Sequence, residues 1–158
     1  MDIRVGYGYD VHALIPGREL WIGGIRIEHE VGLLGHSDAD VLIHAICDAL
    51  LGAAGLRDIG FHFPDTSGEF KDIDSKILLK RTVDLLVEKG WRIGNIDATV
   101  CAERPKLNPH IPAMQDCLSG LLGILPDAVS IKATTSEKLG FTGREEGMSA
   151  SAVVLIQR

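Results

Sequence analysis

A strand is predicted at the N-terminus by strict alternation of apolar and other residues. Between Ile3 and Val11 every second residue is large and apolar. A period of two is typical of a β-strand, whose side chains point alternately to opposite faces. The other face carries Gly6 and Gly8, which leave room for something to approach the backbone closely, and it ends in Asp10 and His12.

A β-hairpin is predicted a few residues downstream. Two short apolar segments, 20–22 and 25–27, flank the pair Gly23-Gly24. Two consecutive glycines readily adopt the positive φ angles of a tight hairpin turn. The N-terminal part of the chain is therefore expected to be rich in β-structure.

Three helices are predicted where apolar residues recur with a period near 3.6. The first begins at Ser37, whose hydroxyl would cap it in a capping box completed by Asp40, and runs to about residue 54. The others are expected over residues 75–89 and 112–123, each with a glycine placed to end it.

Three further strands are predicted over residues 96–102, 128–133 and 149–157. Two long segments, 55–73 and 134–147, connect the elements, and loops of that length are usually functional or disordered. Aromatic residues in the first of them favour the functional alternative. We expect one α+β domain over residues 1–158, with a mixed β-sheet covered on one face by helices and an N-terminal β-hairpin.

Charge and composition exclude several classes of protein. The 158 residues carry a net charge of −6 and only 5% aromatic residues, which argues against a nucleic-acid binder. No apolar segment approaches the ~20 residues that span a bilayer. The N-terminus resembles neither a signal peptide nor a transit peptide, so a cytoplasmic and most simply bacterial protein is expected. Cys47, Cys101 and Cys117 contain no C-x-x-C pair and are expected to be core residues.

Candidate metal ligands lie at the end of the first strand and on the first helix. Asp10 and His12 share a strand face, and His44 lies one helical turn from both Asp40 and Asp48. Carboxylates beside a histidine are a usual support for a metal ligand, and an N/N/O set with an open position suits catalytic zinc. The alternative is a turn motif and a salt-bridged surface histidine. Spacing alone leaves both open.

Three other segments could bind phosphate or nucleotide. His36 and Ser37 precede a helix N-terminus, where free amides favour an anion, although Ser37 could be only a cap. Segment 134–144 combines hydroxyls, an acid and two basic residues, and segment 102–110 combines prolines with basic residues. Either segment could hold a phosphorylated ligand or be a solvated connection.

Taken together, the motifs resemble one enzyme family over essentially the whole chain. They are Gly8-Tyr9-Asp10-Val11-His12, His36-Ser37-Asp38-Ala39-Asp40-Val41, His44-Ala45, Asp58-Ile59-Gly60, Phe63-Pro64-Asp65-Thr66, Pro105-Lys106 and residues 132–144. In this order they are similar to the family of 2-C-methyl-D-erythritol 2,4-cyclodiphosphate synthases of the non-mevalonate isoprenoid pathway.

The resemblance implies a homotrimer with active sites between adjacent subunits. It implies one zinc ion per subunit on Asp10, His12 and His44, and a second cation, magnesium or manganese, facing Glu137 and held mainly by the substrate diphosphate. His36 and Thr135 match positions that stabilise the transition state. The substrate-binding positions it implies are Asp10, His12, His36, Ser37, Asp58, Ile59, Gly60, Phe63, Asp65, Ala102, Lys106, Leu107, Thr134, Thr135, Glu137, Phe141 and Arg144.

The implied reaction converts 4-diphosphocytidyl-2-C-methyl-D-erythritol 2-phosphate to the 2,4-cyclodiphosphate and CMP. A phosphate nucleophile is already ionised, so positioning and charge neutralisation would be the main demands. A metal-dependent phosphohydrolase and a trimeric isoprenoid-diphosphate binding protein are the alternatives. In the latter, Tyr9, Phe141 and Arg144 would line a central trimer cavity, although Ser151 stands where some members carry an acid.

Overall fold

The computed structural model describes residues 1–158. Seven strands and five helices follow one another along the chain. In order they are β1 (Ile3–Pro16), β2 (Leu20–Ile22), β3 (Ile25–Ile27), β4 (Val31–Leu33), α1 (Val41–Ala53), α2 (Ile59–His62), α3 (Ser75–Glu88), β5 (Arg92–Cys101), α4 (Ile111–Leu122), β6 (Val129–Thr134), α5 (Gly140–Gly143) and β7 (Gly147–Gln157).

Five of the strands form one mixed sheet in the order β4-β1-β7-β5-β6. The central strand β7 is antiparallel to β1, where Gly8 pairs with Ala152, and antiparallel to β5, where Ala98 pairs with Ala152. The pair β5 and β6 is parallel and is joined through α4, as parallel strands require a crossover. The predicted α+β class with a mixed sheet is confirmed.

Helix α1 packs directly against the glycine face of β1. Nearly all of its residues are buried, including the predicted apolar stripe. A Cβ built at Gly6 would lie 1.9 Å from the carbonyl oxygen of Ala49, so only a glycine permits this approach. The glycines were expected to let another group approach the backbone of β1, and that group is α1. Through this contact the strand that carries Asp10 and the helix that carries His44 form one packed unit.

The opposite face of β1 is left uncovered by the chain. Large apolar residues on this face are 44–65% exposed. They are Ile3, Val5, Tyr7, Tyr9 and Val11. An exposed apolar stripe of this length is typical of a surface that contacts another protein.

The start of the first helix differs from the prediction. The N-cap is Asp40 rather than Ser37: its carboxylate accepts a hydrogen bond from the Ile43 N–H, and α1 begins at Val41. The same carboxylate accepts the N–H groups of Gly23 and Gly24 at 2.9 and 2.7 Å. It is fully buried and joins the hairpin turn to the helix, which is why the helix begins there.

The remaining predicted elements agree with the structure apart from their ends, whereas β4 (Val31–Leu33) was not predicted. The hairpin β2–β3, with its Gly23-Gly24 turn, and helices α3 and α4 are confirmed within a residue or two. β1 continues to Pro16 and β5 begins earlier, at Arg92. The two long connections each contain a short helix, α2 and α5. No helix has the length and apolar character to cross a membrane.

Candidate metal centre and substrate clefts

Asp10, His12 and His44 converge as the sequence predicted. The Oδ2 atom of Asp10 lies 2.8 Å from Nε2 of His12 and 3.0 Å from Nδ1 of His44. The two ring nitrogens are 3.2 Å apart. Ligands around a tetrahedral zinc at ~2.0–2.1 Å are about 3.3 Å from one another. The spacing of these three donor atoms is close to what such an ion requires.

The second nitrogen of each histidine is held by the protein. Nδ1 of His12 donates to the carbonyl oxygen of Leu34 at 2.9 Å, which directs Nε2 toward Asp10. Nε2 of His44 lies 2.9 Å from Oγ of Ser75 and 3.2 Å from Oγ of Ser37. A metal-binding histidine is usually oriented by such a contact at its other nitrogen.

The prediction that Asp40 and Asp48 flank His44 is wrong. Asp40 accepts backbone N–H groups at the helix start, and Asp48 accepts the Ile59 N–H at 2.8 Å. Helical spacing places their backbone one turn from His44, but their carboxylates are used elsewhere. Ser75, at the start of α3, takes that position instead, and no local sequence signal indicates it.

Electrostatics in the trio favour a charged or cation-bound state. Burial alone would raise the pKa of Asp10, but hydrogen bonds and charge interactions with His12 and His44 lower it to about 2. Burial opposes protonation of His44, yet the carboxylate of Asp10 raises its pKa above the usual value. A carboxylate that stays ionised between two imidazoles attracts a cation.

A cleft of about 280 Å³ opens beside the trio. Its walls come from β1, from α1 and the segment that precedes it, and from α3 and the connection between α1 and α3. Nine of the predicted site residues line it: Asp10, His12, His36, Ser37, His44, Ile59, Gly60, Phe63 and Asp65. Phe70, Ile73 and Leu78 complete the lining and were not predicted.

A second cleft, of about 370 Å³, lies where β5 and β6 end. Five predicted residues line it: Ala102, Lys106, Leu107, Thr134 and Thr135. The two clefts share no lining residue within the protomer. The structure therefore divides most of the predicted site residues into two separate groups.

Glu103 connects the two loops that form the second cleft. Its carboxylate accepts the N–H of Ser136 at 3.3 Å and that of Lys138 at 3.0 Å. Glu137 and Lys138 both have positive φ angles, 55° and 63°, which L-residues rarely adopt. The carboxylate thereby holds a strained turn next to Thr135, a role that the sequence did not indicate.

Four predicted residues line neither cleft. The carboxylate of Asp58 caps α2 by accepting the Phe61 N–H at 3.0 Å, and Arg144 pairs with Glu146 on the surface. Glu137 and Phe141 belong to the loop and short helix between β6 and β7. Within one protomer these four residues join neither of the two groups.

Comparison with known proteins gives one consistent family. Residues 3–157 match the model of the YgbB family. A protein of Bacteroides thetaiotaomicron named 2-C-methyl-D-erythritol 2,4-cyclodiphosphate synthase is 70% identical over 158 residues, which cover 100% of this chain and 99% of that protein.

Solved structures show the same similarity. One is of a 2C-methyl-D-erythritol-2,4-cyclodiphosphate synthase in a form bound to CDP, at a TM-score of 0.90 and 39% identity, covering 98% of this chain and 100% of that one. Another is the bifunctional IspDF of Campylobacter jejuni, at a TM-score of 0.94 and 44% identity. The match covers 98% of this chain but only 42% of the bifunctional protein.

Proposed function

The chain belongs to the YgbB family, and we propose that it cyclises 4-diphosphocytidyl-2-C-methyl-D-erythritol 2-phosphate to 2-C-methyl-D-erythritol 2,4-cyclodiphosphate. An oxygen of the 2-phosphate bonds to the β-phosphorus, and the bond from that phosphorus to the bridging oxygen breaks. The bridging oxygen keeps the electron pair and leaves with CMP. This is a step in the formation of isoprenoid precursors.

The convergence of Asp10, His12 and His44 is the observation that supports this proposal most directly. Their donor atoms lie 2.8–3.2 Å apart and border a cleft. We propose that they hold one zinc ion per subunit, because an N/N/O set with an open position is typical of catalytic zinc. When bound, the ion would offset phosphate charge in a protein whose own net charge is −6.

The cleft residues have separate proposed tasks. Nε2 of His36 donates to the carbonyl oxygen of Ser67 at 3.1 Å, which fixes its ring beside the trio. We propose that His36, Ser37 and Asp65 hold the methylerythritol phosphate end, and that His36 stabilises the transition state from this side. Such work is positioning rather than proton abstraction, because the nucleophile is already an anion.

We propose that the second cleft binds the cytidine and diphosphate part of the substrate. Lys106 can neutralise phosphate charge there, and Thr135 offers a hydroxyl donor at its edge beside Thr134. Thr135 would stabilise the transition state, and Glu137 would face a magnesium or manganese ion held by the diphosphate. Gly60 would contact the ribose from the first cleft, and Asp58 would contact it from the start of α2 beside Gly60.

A homotrimer explains how two separate clefts can act on one substrate. Within one protomer they share no lining residue, and β1 leaves an apolar face uncovered. We propose that adjacent subunits pair the first cleft of one with the second cleft of the other. Tyr9, Phe141 and Arg144 would then surround a central cavity able to take an isoprenoid diphosphate. We also propose a bacterial cytoplasmic location, since relatives occur in the bacteria Bacteroides thetaiotaomicron, Bacteroides fragilis and Cytophaga hutchinsonii.

Phosphorus NMR of the purified protein with substrate, zinc and magnesium tests the reaction. We expect CMP and a cyclic diphosphate, both lost on addition of a chelator. The variant His44→Ala should lose bound zinc and turnover together and keep its fold. The control His29→Ala, outside both clefts, should keep bound zinc and turnover. A linear diphosphate carrying solvent oxygen would show a phosphohydrolase instead. Zinc binding without any turnover would favour the alternative function, a trimeric isoprenoid-diphosphate binding protein.

A further inference from the structure

We propose that Ser75 and Asp38 are positioning residues that set the tautomer of His44, so that the lone pair of its Nδ1 faces the metal centre. The inference rests on the proposed metal-binding role of His44 and extends it to residues outside the ligand trio. Ser75 is fully buried, and His44 is only 6% exposed. Water therefore does not compete for the contact between them.

The hydroxyl of Ser75 has one proton, and its direction follows from the neighbouring groups. Its Oγ makes a short hydrogen bond with Oδ1 of Asp38. A carboxylate can only accept, so Ser75 donates its proton to Asp38. Asp38 also accepts the backbone N–H of Ser75 at 2.9 Å and that of Asp40 at 3.1 Å, which fixes the carboxylate in place.

The consequence for His44 follows directly. Because the proton of Ser75 is committed to Asp38, Oγ of Ser75 can only accept from Nε2 of His44, 2.9 Å away. Nε2 must then carry the hydrogen, and in the neutral ring Nδ1 carries the lone pair. This is the atom that lies 3.0 Å from Asp10 and 3.2 Å from Nε2 of His12.

Ser37 does not reverse this assignment. Its Oγ is 3.2 Å from Nε2 of His44 and accepts the Ala39 N–H at 3.1 Å. If Ser37 donated to an unprotonated Nε2, the closer oxygen of Ser75 would face the same lone pair with no proton between them. The shorter contact, between Nε2 of His44 and Oγ of Ser75, therefore decides the tautomer, because Ser75 can only accept there.

The whole centre then directs lone pairs to one point. His12 donates Nδ1–H to the carbonyl oxygen of Leu34, which leaves the lone pair of Nε2 free. With the tautomer of His44 set by Ser75, both imidazoles and the carboxylate of Asp10 present electron pairs to one another. Only a proton or a metal cation between them relieves that repulsion, so the arrangement is prepared for a cation.

The variant Ser75→Ala tests the proposal on the metal-free protein and on zinc binding. Long-range ¹H–¹⁵N NMR of the metal-free parent, at a pH where the His44 ring is neutral, should show hydrogen on Nε2, and the variant should populate the Nδ1–H form. Competition with a zinc chelator should show zinc bound about 10–100-fold more weakly by the variant. Ser119→Ala, which removes another buried helical serine hydroxyl, should change neither result.

A second variant tests the same tautomer of His44 through a different residue. In Asp38→Asn the new amide can donate to Ser75, which frees the serine proton for Nε2 of His44 and favours the Nδ1–H form. Circular dichroism would check that each variant is folded. An unchanged tautomer and unchanged zinc affinity in both variants would overturn the proposal. A parent protein that binds no zinc would instead contradict the proposed function, while the NMR result would still test the tautomer.

Discussion

Gly8 of β1 lies directly against the carbonyl oxygen of Ala45 in α1, so close that a Cβ at Gly8 would be 1.9 Å from that oxygen. The contact joins the strand of Asp10 and His12 to the helix of His44. We expect Gly8→Ala to separate the two elements and to lower the free energy of unfolding by about 3 kcal/mol. Zinc binding should weaken as well, since the ligand trio is split. Urea unfolding and chelator competition would measure both effects.

The control for this change lies in the same helix. A Cβ at Gly52 in α1 would meet nothing within 4 Å. Gly52→Ala should therefore raise stability by up to about 1 kcal/mol, because alanine favours the helix. If Gly8→Ala were as well tolerated as Gly52→Ala, the close packing of β1 on α1 would not be needed.

The buried carboxylate of Asp40 is expected to contribute strongly to stability. It accepts the N–H groups of Gly23, Gly24 and Ile43, and no water can replace it. Asp40→Ala would leave three buried donors without partners, a loss on the order of 3 kcal/mol or more by denaturant unfolding. Asp74→Ala, which removes the exposed N-cap of α3, should cost only about 1 kcal/mol. Equal losses of unfolding free energy in the two variants would show that the contacts of Asp40 with the hairpin do not contribute to stability.

Glu103 is expected to control nucleotide binding through the loop that follows β6. Glu103→Gln keeps one acceptor oxygen but turns an N–H toward Ser136 or Lys138, so that one backbone hydrogen bond is lost. We expect affinity for CDP, measured by calorimetry, to fall about tenfold, the equivalent of one net hydrogen bond. Asp97→Asn removes a carboxylate that pairs with Lys132 on the surface of β5 and should leave the affinity unchanged.

The uncovered face of β1 provides a test of the proposed trimer. Val5 on β1 and Val87 on α3 are similarly exposed, at 65% and 62%. Val5→Asp should dissociate the trimer in sedimentation velocity, since it places a charge in the proposed interface, and Val87→Asp should not. The dissociated protein should still bind zinc, because one chain supplies all three ligands, but it should lose turnover. A trimer that survives Val5→Asp would contradict this interface.

The buried thiol of Cys47 is expected to cause a loss of stability in alkaline solution. Burial in α1 raises the pKa of its thiol from 9.0 to about 12. Above pH 9 the unfolded chain loses this proton while the folded chain keeps it, so unfolding becomes easier as pH rises toward 12. The slope attributable to this thiol is about 1.4 kcal/mol per pH unit. Urea titrations of the parent and of Cys47→Ala at pH 8 and 10 would isolate the contribution of this thiol. If the free energy of unfolding fell equally in both proteins, the prediction would be contradicted.

Local sequence was sufficient for most of the secondary structure, but it left open whether Asp10, His12 and His44 are metal ligands. Alternation over Ile3–Val11 and the helical period around His44 depend only on residues within a few positions of one another. The two glycines of β1 even indicated that another element would approach the strand, and α1 does so. Resemblance to a known family then identified the trio that the structure brings together.

Which groups support those ligands depended on the tertiary structure. Helical spacing suggested that Asp40 and Asp48 would flank His44, but the first binds the hairpin turn and the second the start of α2. Ser75 supports His44 although 31 residues separate them in sequence. Periodicity places a residue on a face of its own helix or strand, whereas a hydrogen-bond partner is decided by how distant elements pack. The sequence by itself therefore determined the main helices and strands and, through the family resemblance, the candidate ligand trio. Packing decided which group contacts the second nitrogen of His44, where α1 begins and that the two clefts are separate.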